Sequence, residues 1–194
     1  MSFYHDGQRA IQARFQSAPL ADRLLEKLHR TAFSDADKAF IEGVSFFFIA
    51  TADADGRPDC SHKGGAPGFV RVIEPSVLVF PDYDGNGMFR SLGNISVNPA
   101  VGLLFMAMND APKRLRVNGR ATVSFDDPLM ATFTGAQALL RVQVEHIFPN
   151  CPRYIADLSS RTPSQYAPKE GVAPTEPAWK SFPDFKDVVP PRKA

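Results

Sequence analysis

The chain has 194 residues, 44% hydrophobic and 22% charged, enough for one sizeable core and too few for two comfortable domains. Lys and Arg number 22 against 21 Asp and Glu, and this +1 balance excludes a global field for nucleic acid or an anionic membrane. Any anion site must be local.

The opening MSFYHDGQRAIQARF has no apolar core of signal-peptide length, and no run approaches the roughly 18 apolar residues of a membrane span. A soluble, cytoplasmic protein without membrane or nucleic-acid partners is expected. From residue 16 to 43, Leu20, Leu24, Leu25 and Leu28 share one helical face, and Ser34 with Asp37 forms a Ser-x-x-Asp cap before a second short helix. Residues 1–44 thus read as a helical lead-in.

The pattern changes to β over residues 45–126. SFFFIATA is a buried apolar run, ADADGRPD carries a turn, FVRVIE and VLVFPDY flank Pro75, and VGLLFMAM precedes the alternating KRLRVNGRATVSF. Five or six antiparallel strands are expected there. A helix over 128–140, a strand RVQVEHIF and a short helix from Cys151 complete a domain spanning 45–160. Seven of the 17 prolines fall beyond residue 160, so 161–194 reads as an extension that wraps another surface.

Closely spaced strands with one interior helix argue against a doubly wound parallel sheet, which needs a crossover helix between most strands. A small antiparallel β-barrel with flanking helices fits better. Its interior helix, about residues 88–98, lies between Gly87 and Asn98-Pro99.

Asp84-Gly85-Asn86-Gly87 lets backbone amides converge just before that helix, whose N-terminus adds unpaired N–H groups. Arg90, with Ser91 beside it, stands in the first turn, where a cation opposes the helix dipole unless an anion sits there. Two readings stand: a phosphate corner, or a plain turn with Arg90 paired to Asp82 or Asp84. The third glycine of a dinucleotide fingerprint is missing, and no GxxxxGK[ST] occurs.

On the alternating strand, Leu115, Val117, Ala121 and Val123 take one face and Arg114, Arg116, Asn118 and Arg120 the other. That arginine row is either a solvated edge or the wall of an anion pocket. Ser61, His62 and Lys63 stand at a strand end before two glycines that permit close approach of a ligand. Cys60 and Cys151 read as ordinary thiols, His146 near Cys151 as a core residue, and no metal-ligand spacing is present.

The succession ATADADGRPDCSHKGG, VLVFPDYDGNG, MFRSLGNISVNP, AVGLLF and RLRVNGRA resembles the pyridoxamine 5'-phosphate oxidase-like FMN-binding split barrel, particularly its FMN-dependent enzyme branch. The likeness covers about residues 46–125. NPAVGLLF with RLRVNGRA is its most specific part, and the later NCPRYI also looks like that branch.

The resemblance implies an antiparallel split β-barrel that binds FMN and transfers hydride at the flavin, as a homodimer with FMN at the interface. By family position, Ser61, His62 and Lys63 approach the flavin or its phosphate, Arg90 and Ser91 clamp the phosphate beside Asn86 and Met88, and Pro81 and Asp82 line the ring. Arg114 contacts the ring from the partner subunit, with Arg116 its neighbour. The oxidases proper carry a basic residue where this chain has Ser91, an arginine near Ser61, and a C-terminal Trp-Arg pattern that EPAWKSF around Trp179 does not reproduce. A vitamin B6 substrate is therefore not expected, and the small-molecule substrate is left open. A flavin carrier without turnover and a basic-strand nucleic-acid binder are the other two function classes.

Overall fold

The computed structural model describes residues 3–158 and 175–189. Three helices come first: α1 (Asp6–Arg14), α2 (Ala18–Leu28) and α3 (Asp35–Gly43). They are followed by β1 (Phe46–Ala52), β2 (Pro58–Gly64), β3 (Arg71–Glu74), β4 (Val77–Tyr83), α4 (Arg90–Val97), β5 (Ala100–Ala107), β6 (Lys113–Ser124) and β7 (Ala136–Pro149). All pairings are antiparallel, in the order β2-β1-β5-β6-β7-β4-β3.

Alternation drives the architecture. Along β1, Phe47, Ile49 and Thr51 are buried while Phe46, Phe48 and Ala52 are half-exposed. On β6, Leu115, Val117 and Ala121 likewise point into one continuous core with Phe47, Phe80, Phe105, Leu140 and Ile147. The sheet curls until edge strand β2 reaches β4, the strand next to the opposite edge: Lys63 on β2 donates to Asp82 on β4 at 3.2 Å. Among the described residues no backbone pairing closes that seam, so the barrel is split. Beyond Asn118, β6 slips register against β7, and a side chain at Gly119 would sit 2.2 Å from the Gln143 carbonyl oxygen. Only glycine fits there.

The lead-in is helical as expected. Ser34 and Asp37 form the reciprocal cap of α3. Arg30 donates to both Asp37 oxygens at 2.8 and 2.7 Å and pairs its backbone with Ile147, sealing this segment to β7. Within it α1 buries no residue, and its start is capped by His5 and Gln8.

Two expectations fail after residue 127. The helix expected over 128–140 is only a 3-10 turn, Pro128–Thr132, because Gly135 at φ 82° breaks it and Ala136 to Leu140 pair with β4. Leu139 and Leu140 are buried on opposite faces of that strand, and this burial overrides helical propensity. The short helix expected from Cys151 is also absent; Pro149 and Pro152 hold that stretch in turns. Most of the proline-rich extension lies outside the described residues. Its described part, 175–189, returns to α2, where Arg23 donates to the Asp184 carbonyl at 2.7 Å.

Among the described residues, no helix is long and apolar enough to cross a membrane.

Candidate functional site

A cleft of about 470 Å³ opens where β2, the end of β4 and the start of α4 converge. The period of β2 turns Asp59, Ser61 and Lys63 toward one face and Cys60 and His62 toward the other. Opposite, β4 ends with Pro81 and Asp82, both buried, before the loop 84–87.

The loop delivers α4 with an open N-terminus. Asn86 Oδ1 accepts from the Met88 amide at 3.0 Å, Gly87 takes φ 72°, and Phe89 is held at φ 47°. A bulky residue in the left-handed region is strained, and such strain concentrates at ligand sites. Phe89 occupies the N-cap position, and no side chain caps the helix. Arg90 is therefore the first helical residue; the expected start at residue 88 comes two positions too early because of this left-handed turn.

Arg90 lies 58% exposed, and among the described residues its one polar side-chain contact is from Nε to Asp59 at 3.3 Å. Its partner is neither Asp82 nor Asp84. Asp82 is satisfied instead by Lys63 at 3.2 Å and by Gln137 Nε2 at 2.9 Å. Ser91 is buried at the same helix end, and its hydroxyl has no hydrogen-bond partner among the described residues. A cation, a free hydroxyl and uncapped amides at the mouth of a cleft are the donors a phosphate needs.

The structure gathers nine of the eleven anticipated residues around this cleft: Ser61, His62, Lys63, Pro81, Asp82, Asn86, Met88, Arg90 and Ser91. His62 only borders it, since its ring stacks on Phe46 at 5.5 Å on the outer face. Asp59, Phe89 and Gln137 also line the cleft and were not anticipated. Gln137 was hidden by the mistaken helix; Asp59 could have been found from the period of β2.

Arg114 and Arg116 lie elsewhere, on β6, which β1 and β5 separate from β2. Arg116 is exposed on the outer face, paired with Leu104 and Phe148. Arg114 donates to the Cys151 carbonyl at 2.6 Å. Within one chain these two do not reach the cleft. His146 is bonded to His29 at 2.9 Å rather than to Cys151, and both cysteines are free.

The model of the family described as pyridoxamine 5'-phosphate oxidase matches residues 33–151, more than half of the chain. The chain belongs to that family. Solved structures with a related outline include a putative pyridoxamine 5'-phosphate oxidase from Lactobacillus delbrueckii, 22% identical over 61% of this chain and 95% of the other, TM-score 0.49. HupZ from Group A Streptococcus is 18% identical over 60% and 93%, TM-score 0.49. An FMN-binding protein from Syntrophomonas wolfei is 11% identical over 74% and 97%, TM-score 0.46. No curated protein matches the chain. The family match spans the whole of the cleft, from Asp59 to Gln137, and the split antiparallel barrel is the family's fold. Trp179, outside the match, packs edge-on against Phe185 in the returning extension.

Proposed function

We propose that the cleft binds FMN and that the protein is a flavin-dependent oxidoreductase acting on a small molecule. The observation that carries this is the unsatisfied α4 corner: an uncapped helix end, an exposed Arg90 and an unpartnered Ser91 hydroxyl beside a cavity of ligand size. Arg90 and Ser91 would take the phosphate, with the loop amides of 85–87 beside them. Lys63, Pro81 and Asp82 would line the ring, and the Lys63–Asp82–Gln137 contacts hold that wall in place. FMN, when bound, supplies hydride acceptance and donation at the flavin.

The outer face of the sheet supports assembly with a second copy. Phe46, Phe48, Leu104 and Met106 sit half-exposed side by side across β1 and β5, with Arg114 and Arg116 at their margin. A second copy covering this face would remove that apolar surface from water and bring Arg114 toward the neighbouring flavin.

The test is the visible spectrum of the purified protein, followed by NADH or NADPH under anaerobic conditions. Flavin bands that bleach support the reading; a Soret band in their place overturns it. Flavin bands that neither NADH nor NADPH bleaches favour a carrier over an enzyme fed by these donors. Light scattering with flavin bound should give a dimer mass, and a monomer mass at micromolar concentration would contradict the shared site.

A further inference from the structure

A second cavity, of about 370 Å³, lies between the end of β5, the start of β6 and residues 151–156. Its lining includes Met106, Met108 and Ile155 together with two arginines, Arg114 and Arg153. No carboxylate is among the described residues that line it. Both arginine Nε–H groups are buried without a hydrogen-bond partner. Only three other side-chain atoms among the described residues share that condition, and none of them lines this cavity. Buried guanidinium N–H groups are rarely left unpaired, and these two belong to side chains that line one cavity, so the arginine pair there is under-supplied with acceptors.

We propose that this cavity binds the carboxylate of a small acid with an apolar body, and that such acids are the enzyme's substrate class. The guanidinium fork matches a carboxylate, while the thioethers and Ile155 suit an aliphatic or aromatic body. Arg114 already commits one Nη to the Cys151 carbonyl, which fixes the orientation of its free Nε–H. Assigning the acid as substrate rests on the reading that Arg114 approaches the flavin of a second copy; the carboxylate site itself does not.

Titration of the full-length protein with sodium benzoate, followed by the arginine Nε–H resonances in 15N-edited NMR, tests the site. Benzoate should shift the Arg114 and Arg153 signals with saturable, millimolar affinity, and neutral benzamide should not. Arg153→Gln should weaken benzoate at least about tenfold, and Arg153→Lys should restore part of it, with FMN affinity unchanged in both. In FMN-loaded wild type, benzoate should also perturb the flavin absorbance. Equal binding of benzamide, or benzoate binding insensitive to Arg153→Gln, overturns the site. An FMN affinity that falls with Arg153→Gln as much as benzoate's makes the guanidinium a flavin ligand and also overturns it. Benzoate binding without any flavin response overturns the substrate assignment alone, and failure of wild type to bind FMN at all overturns the proposed function but not the carboxylate site.

Discussion

At the corner after β6, Asp127 accepts the Leu129 amide at 2.9 Å, receives both Nε and Nη2 of Arg141, and is buried. At the α4 corner, Asp59 touches Arg90 once at 3.3 Å, no side chain caps the helix, and the guanidinium stands in solvent. Both corners join a carboxylate, an arginine and a helix start. The first commits two guanidinium nitrogens and a backbone amide to one carboxylate, whereas the second commits a single Nε. A closed pair stabilises; an open one is available to a ligand.

The largest expected effect comes from opening the closed corner. Asp127→Ala removes a cap of about 1 kcal/mol and a two-pronged charged contact, and with Arg141 about one-third exposed the total loss should be roughly 2–3 kcal/mol. Urea unfolding checks this, and FMN affinity should not move. If stability stays at the wild-type value, the two corners do not differ as described.

Arg90→Ala tests the open corner from the other side. Apo stability should stay within about 0.5 kcal/mol, because the side chain is exposed. FMN affinity should fall about 10- to 150-fold through loss of a charged hydrogen bond of about 1.5–3 kcal/mol. A stability loss matching that of Asp127→Ala would make Arg90 a structural residue.

Asp59→Asn sharpens the comparison further. Asp59 competes for Arg90, and an exposed pair of this kind contributes about 0.2–1 kcal/mol, so FMN should bind up to about fivefold more tightly. Weaker binding would instead show that Asp59 positions Arg90.

The smallest effect is in pH. The Arg141 hydrogen bonds hold the Asp127 carboxyl below the usual carboxylate range. Its folded value is depressed, so its contribution is complete above the unfolded value of about 3.9 and is lost as the pH falls below that. Asp127→Asn should flatten that part of the acid unfolding curve. His29 is shifted in the same direction, by burial first and His146 second, so acidification below about 6.5 should weaken its contact with β7. Hydrogen exchange at the Arg30 and Ile147 amides reports it.

Much of this was legible beforehand. The period of two along β1 and β6, the Ser34–Asp37 cap and the closely spaced turns announce antiparallel strands behind a helical lead-in. Gly85, Gly87 and Arg90 announce the loop and open helix start at which the phosphate is proposed to bind. What stayed hidden was long-range. Ala136 to Leu140 have a helical composition and become a strand because β4 on one side and the end of β6 on the other offer pairing edges, with buried faces for Leu139 and Leu140. Gln137 came into the cleft with that strand. The partner of Arg90 was misjudged for a similar reason: Asp82 and Asp84 are near in sequence, but the curl of the sheet carries β2, and Asp59 with it, to the helix start.

The proposed flavin site depends most directly on a phosphate at the α4 corner. Calorimetry of the wild-type protein with FMN and with riboflavin, at one ionic strength, separates the corner from the rest of the cleft. FMN should bind at least about tenfold more tightly, the margin of one charged hydrogen bond to Arg90. Riboflavin binding as tightly as FMN would contradict it.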